Sequence, residues 1–270
     1  MAVRRFAALV TAVFLLLSAC FSFAGCAFSE LGLNWQKRGD IGWAVKDDTL
    51  YISGKGEMPD LSRSGPPAWQ SYKDTVRRVV IKNGVRSISP LAFYGFKELE
   101  TVEIPRSVRE IGQEAFYGCT SLTEVVIPRG VKTIETRTFY CCYALERVAI
   151  PDTVTEIKSS AFYACSVLEA VEIPKSVEKL GIKAFCSCFA LESVTFSEGV
   201  TEIGAQAFQD CDALENVALP RSVITIGRDA FEGCSYVQYE GTVEKAKEFI
   251  KAKAFGRKCV IQCADGTCTA

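Results

Sequence analysis

Ala115-Phe116-Tyr117-Gly118-Cys119-Thr120-Ser121-Leu122-Thr123-Glu124-Val125-Val126-Ile127-Pro128 is one turn of a pattern that fills most of this 270-residue chain. Its phenylalanine returns as Phe93, Phe116, Phe139, Phe162, Phe185, Phe208 and Phe231, always 23 residues apart and with no insertion or deletion between copies. A fixed period of a few tens of residues means one small unit stacked on copies of itself, each covering the apolar face its neighbour exposes. The chain reads as a repeat solenoid.

The other apolar positions repeat with the phenylalanine. Leu99, Leu122, Leu145, Leu168, Leu191 and Leu214 form one column, and Val102, Val125, Val148, Val171, Val194 and Val217 a second. A third runs Ile104, Ile127, Ile150, Ile173, Phe196 and Leu219. The last two columns lie two residues apart, the period of a strand that turns alternate side chains inward. Pro105, Pro128, Pro151, Pro174 and Pro220 follow at once, with Ser197 the exception, and a residue without an N–H ends a ladder. A second apolar pair, from Val108 and Ile111 to Val223 and Ile226, carries the chain along the far side. Gly112, Gly204 and Gly227 are expected to free the turn that comes next. The Ala-Phe-x-x-Cys segment predicts a short helical or 3₁₀ turn closing the coil.

These residues resemble the leucine-rich repeat, whose short form Leu-x-x-Leu-x-Leu opens each coil. The pattern is most similar to the BspA-like class of treponemal and oral bacterial surface proteins. The match covers Val76 to about Tyr236, and the flanks resemble that class at Gly42-Trp43, at Thr49 to Gly54, and at Gly241-Thr242 with Cys263 to Gly266. The resemblance implies a curved right-handed solenoid of about seven 23-residue coils, built from short parallel β-strands and short helical or 3₁₀ turns. It also implies attachment to host matrix proteins, to cell-surface proteins or to other bacteria. One departure stands out: the common repeat has a buried asparagine after the strand, where this chain has Ser107, Gly130, Thr153, Ser176, Gly199 and Ser222. Those corners must satisfy their backbone by other means.

Residues 1–24 read as an export leader, with Arg4 and Arg5 before an apolar run from Phe6 to Leu17 that is short for a membrane span. Leu17-Ser18-Ala19-Cys20 resembles a bacterial lipobox, which makes Cys20 the candidate lipidation site and 1–19 the alternative leader. Ser22-Phe23-Ala24 is an acceptable ordinary peptidase site, and Cys26 keeps a second, relaxed lipobox open. The expected locations are the periplasm, the outer membrane or the cell surface, with a lipid anchor as the single route to a membrane. Formal charge is −1, and −3 once Arg4 and Arg5 are removed (29 basic against 32 acidic residues), so nucleic acid is not an expected partner.

Thirteen cysteines divide by register. Cys119, Cys142, Cys165, Cys188, Cys211 and Cys234 share a column with Phe96, so that position wants apolar volume and the expected state is a free core thiol. Cys141 and Cys186 lie off the column, and Cys259, Cys263 and Cys268 are the better candidates for one disulfide. Zinc at those three lacks a fourth ligand.

A solenoid must cap the core exposed at its ends. The organisation expected is a β-rich amino-terminal cap at 29–67 with a hairpin around Lys46-Asp47-Asp48, the solenoid at 68–237, and an α/β cap at 238–270. Trp69 and Tyr72 are placed to cover the first coil. Val243, Ala246, Phe249, Ile250 and Ala254 predict a helix capped by Thr242, followed by a strand through Val260 and Ile261.

The chain contains no histidine, which removes the usual triads, general bases and metal sites, and a column of equivalent glutamates gives no two environments to separate an acid from a base. No enzyme activity, catalytic residue, metal or cofactor is expected. Function falls to outward columns: Thr101, Glu124, Arg147, Ala170, Ser193 and Asn216, beside Glu103, Val126, Ala149, Glu172, Thr195 and Ala218. Glu100, Glu146, Glu169, Glu192 and Glu215 flank them, and Tyr94, Tyr117, Tyr140 and Tyr163 form a tyrosine row suited to a protein interface. Two readings follow, a protein-binding adhesion module and an envelope structural protein that self-associates; oligomers fit either.

Overall fold

A computed structural model describes residues 33–59 and 65–270. The leader, Cys20 and Cys26 lie outside the described residues. Trp35–Ala270 forms one compact unit, whose coil strands stack in parallel along two sides, with antiparallel pairs in the two caps. On the first side the order is Gln36–Arg38, Ile41–Lys46, Thr49–Gly54, Arg78–Ile81, Thr101–Glu103, Glu124–Val126 and Arg147–Ala149. A second sheet continues with Ala170–Ile173, Ser193–Phe196, Asn216–Leu219, Tyr236–Tyr239, Val260–Cys263 and Gly266–Thr269. Val148 and Ile150, like Val102 and Ile104, are half-buried, whereas Val171 and Ile173 are buried. Register is exact to the repeat, Arg147 opposing Glu124 and Ser193 opposing Ala170. The ladder runs on into an eighth turn that arrives early, with Asn216 opposing Tyr236.

The far side carries two-residue strands, from Ser87–Ile88 and Glu110–Ile111 to Thr225–Ile226. Its ladder breaks once, between Glu110–Ile111 and Thr133–Ile134, at the coil where Glu135 replaces glycine. Glu135 instead accepts two hydrogen bonds from Lys158 Nζ in the next coil, at 2.9 and 2.8 Å. The glycines of this column do not have left-handed backbone, contrary to the turn role expected of them; a Cβ on Gly204 would stand 2.6 Å from the backbone of Gly181 and Ile182 in the coil before. Close approach of coils, not a turn, selects glycine there.

The closing segment departs from the expected helical turn. Tyr94 N–H donates to Leu91 O and Phe96 N–H to Phe93 O, both three residues back, but Phe93 N–H donates across to Ala115 O in the next coil at 2.8 Å. The same exchange repeats from Phe116 N–H to Thr138 O and from Phe162 N–H to Ala184 O. Alternate amides thus serve their own turn and the neighbouring coil, which a helix cannot do. Left-handed residues make the alternation: Leu91, Glu114, Arg137, Ser160, Lys183, Gln206 and Asp229 all have φ between 55° and 63°. L-residues visit that region at a cost of about 1 kcal/mol each, offset by a third inter-coil ladder.

The corners after the strands are closed by hydroxyls in place of asparagine. Ser107 Oγ accepts from Gly84 N–H at 3.1 Å and donates to Val85 O at 2.7 Å. Ser222 repeats the arrangement on Gly199 N–H and Val200 O, and Thr153 donates to Val131 O. Ser176 Oγ is buried with no partner among the described residues. Ser107→Ala should therefore lower stability by about 1–2 kcal/mol while Ser176→Ala is neutral or slightly stabilising. Equal shifts of the two denaturation midpoints would contradict this assignment.

The seven phenylalanines are fully buried, with ring centroids 5.0–5.4 Å apart. Both caps extend the stack. Trp69 lies over Phe93 at 6.4 Å, donates Nε1–H to Ala92 O, and meets Trp43 edge-on. At the other end Phe255 stacks on Phe231 at 6.0 Å, one residue out of the repeat. Helix α1, Val243–Lys251, is capped by Thr242, whose side chain accepts from Lys245 N–H, and it buries Ala246 and Phe249 against the last coil. Among the described residues no helix is long and apolar enough to cross a membrane.

Each column cysteine from Cys119 to Cys211 donates its thiol to the carbonyl of a phenylalanine 26 residues earlier, at 3.2–3.4 Å. Burial pushes these thiols well above their ordinary range. All eleven described cysteines are free, so the bridge expected among Cys259, Cys263 and Cys268 is not formed. Register gives the reason: Cys268 opposes Ile261, leaving Cys259 and Cys263 on its two diagonals. Diagonal Cα atoms lie about 7–8 Å apart, and the Cys263 and Cys268 thiols meet in a hydrogen bond, not a bridge. Burial, first, and then the nearby Cys268 hold Cys259 and Cys263 up to about 11.

Candidate protein-interaction surface

The outward strand columns point outward as their alternation requires. Thr101, Glu103, Arg147, Glu172, Thr195 and Asn216 are exposed, and Glu124 and Val126 are half-buried. Glu100 is drawn into a pair with Arg77 at 2.6 Å, both side chains about half exposed, so this contact contributes little. Among the described residues no three acidic or cysteine side chains converge to hold a metal.

The tyrosine row lies on another side of the coil, beside the turn ladder. Tyr94, Tyr117, Tyr140 and Tyr163 stack at 4.8, 4.6 and 4.6 Å, with planes within 12°. Ring faces are spent on one another, so the row offers edges and hydroxyls. Burial, then neighbouring phenols and Cys141, raise Tyr117 and Tyr140 above the ordinary tyrosine range.

Beside it stand residues that column reading passes over. Tyr143 is 47% exposed, Val167 41% and Phe189 48%, on three consecutive coils. Backbone hydrogen bonds hold their corner in register, Ala144 N–H to Thr120 O, Ala190 N–H to Ser166 O and Ala213 N–H to Phe189 O. Tyr143 adjoins Tyr140 and Tyr117, and a hydrogen bond to the Cys141 side chain pushes its hydroxyl up to about 12. Tyr143, Val167 and Phe189 are three of the eight large apolar side chains exposed among the described residues. The signal available in sequence was a misfit: the column of Tyr143 and Phe189 is otherwise Lys97, Thr120, Ser166 and Asp212. An apolar residue that breaks a polar column is put there for something other than the core. Arg137, paired with Glu114 at 3.1 Å, and Lys183 border the patch in the left-handed column.

Comparison with known proteins bears on the fold. A family model described as the BspA type leucine rich repeat region matches residues 70–190 and 155–264. Among solved structures, a leucine-rich repeat protein of Bacteroides ovatus is similar with 24% identity and a TM-score of 0.54, over 81% of this chain and 50% of that one. The chain thus spans about half of that relative. A leucine-rich repeat protein of T. pallidum is 25% identical over 82% of this chain and 92% of its own, TM-score 0.44. A leucine-rich cell surface protein of Faecalibacterium prausnitzii is 25% identical over 76% of each chain, TM-score 0.45. No curated protein matches.

Proposed function

The chain belongs to the BspA-type leucine-rich repeat family, and we propose that it is an extracytoplasmic protein-binding module that attaches to host matrix or cell-surface proteins. Membership of this repeat family is consistent with a protein-interaction module. The observation that carries it is the aromatic corner at Tyr143, Val167 and Phe189, continuous with the tyrosine row. Exposed large apolar side chains gathered in one place mark interaction sites, and tyrosine and phenylalanine are enriched where proteins dock. The strand columns from Thr101 to Asn216, on another side of the coil, are the alternative contact surface. Residues 1–19 would direct export, leaving Cys20 as the lipid-bearing first residue of the mature chain.

Exposure to protease on intact cells tests the location this function needs. Mild proteolysis of cells producing the protein should remove it without breaching the envelope, and the intact mass of untreated protein should carry lipid on Cys20. Full protection until the outer membrane is opened would exclude attachment to a host surface.

A further inference from the structure

The two outermost strands of the unit differ in chemistry. Gln36–Arg38, at one edge, is fully exposed and carries Lys37 and Arg38, the kind of charge that blocks edge-to-edge pairing. Gly266–Thr269, at the other edge, pairs only with Val260–Cys263, carries no charge, and exposes Thr267 and Thr269. Ala270 N–H donates to Cys259 O at 3.0 Å, and hydrogen-bonded pairs alternate along an antiparallel ladder. With Val260 opposite Thr269 and Gln262 opposite Thr267, the N–H and C=O groups of Thr267 and Thr269 point away from the sheet, toward the open edge.

Thr267-Cys268-Thr269 reads the same in both directions. We infer that two copies of this chain pair antiparallel through Gly266–Thr269 about a two-fold axis at Cys268, joining their six-stranded sheets into one of twelve. Each Thr267 then exchanges two hydrogen bonds with the other copy's Thr269, and facing threonines are a favourable cross-strand pair. The two Cys268 residues become a non-hydrogen-bonded pair with Cα atoms about 4.5 Å apart, inside the disulfide span. A bridge there forms by exchange with a disulfide oxidant. Two Cys268 thiols lose two protons and two electrons to an S–S bond, and the oxidant's S–S bond is reduced to two thiols. A line of side chains across the strands, Tyr236, Val260 and Thr269 by register, carries two residues each 37% exposed up to this edge, so apolar surface adjoins the pairing strand. A sequence symmetric about its centre and free of charge fits a second copy of itself better than any strand of defined polarity or charge.

Sedimentation and non-reducing electrophoresis test the pairing on the protein as it exists, with glutathione disulfide as the oxidant. A concentration-dependent dimer is expected under reducing conditions, and a covalent dimer mapped to Cys268–Cys268 after oxidation. Cys268→Ser should remove the covalent dimer and leave the reversible one. Thr267→Lys with Thr269→Lys places lysines opposite each other twice, and should weaken the reversible dimer about tenfold while the circular dichroism spectrum is unchanged. A monomer under both conditions, a dimer indifferent to the two lysines, or an intramolecular Cys263–Cys268 bridge as the oxidation product would each overturn the inference. None of these outcomes depends on the aromatic corner.

Discussion

Phe162→Ala should destabilise the protein by about 3–5 kcal/mol, the cost of removing a fully buried aromatic ring from a site that cannot collapse. Phe162 sits between Phe139 at 5.3 Å and Phe185 at 5.0 Å, each nearly parallel to it. Those rings are held by their own amides, bonded to Ala161 O and Ala207 O in the neighbouring coils, so neither can slide into the void. The loss has a second consequence peculiar to a solenoid. Contacts run only between adjacent coils, and a cavity in the middle weakens the single interface that couples the two halves. Chemical denaturation should show a lower midpoint, and a split or broadened transition is the further expectation. Phe231→Ala, nearer the end and adjoining Phe255 at 6.0 Å, should unfold with less loss of cooperativity. An unchanged midpoint for Phe162→Ala would refute the stacked-core assignment.

Most of this core was legible because no copy of the repeat gains or loses a residue. One period therefore ordered every column and marked the six column cysteines as core positions, whereas Cys186, Cys259 and Cys263, which lie off that column, are buried as well. Legibility failed where the physical cause leaves no trace in side-chain type. The left-handed column is Leu91, Glu114, Arg137, Ser160, Lys183, Gln206 and Asp229, and nothing in that mixture announces a positive φ. Its cause is the alternation of amides between turn and neighbouring coil, a backbone requirement. Phe255 was missed as the eighth ring because it stands 24 residues after Phe231. The hydroxyl bridges at Ser107 and Ser222 were posed as a question by the missing asparagine and answered only by geometry. At the surface the limit was of another kind: columns reveal what repeats, whereas Tyr143, Val167 and Phe189 matter because they do not.

Tyr143→Glu combined with Phe189→Glu should reduce attachment by about 100-fold or more. Residues that dominate an interface cost at least about 2 kcal/mol each when lost, and a carboxylate set into a desolvated apolar contact costs no less than truncation. Both side chains are about half exposed in the free protein, and neither belongs to the buried stack. Stability should therefore stay within about 0.5 kcal/mol of the parent, which separates loss of a surface from loss of the fold. The same replacement on the strand columns, Thr195→Glu with Asn216→Glu, gives the control that decides which side of the coil carries the contact. If the aromatic corner is the site, that pair changes attachment several-fold at most.

The measurement that bears most directly on the central claim is a binding isotherm of purified mature protein on a solubilised basement-membrane matrix, taken for the parent and for the Tyr143→Glu, Phe189→Glu variant at matched folded concentration. Saturable binding by the parent, with the variant weakened about 100-fold, is the predicted result. Equal binding by the two proteins would contradict the account.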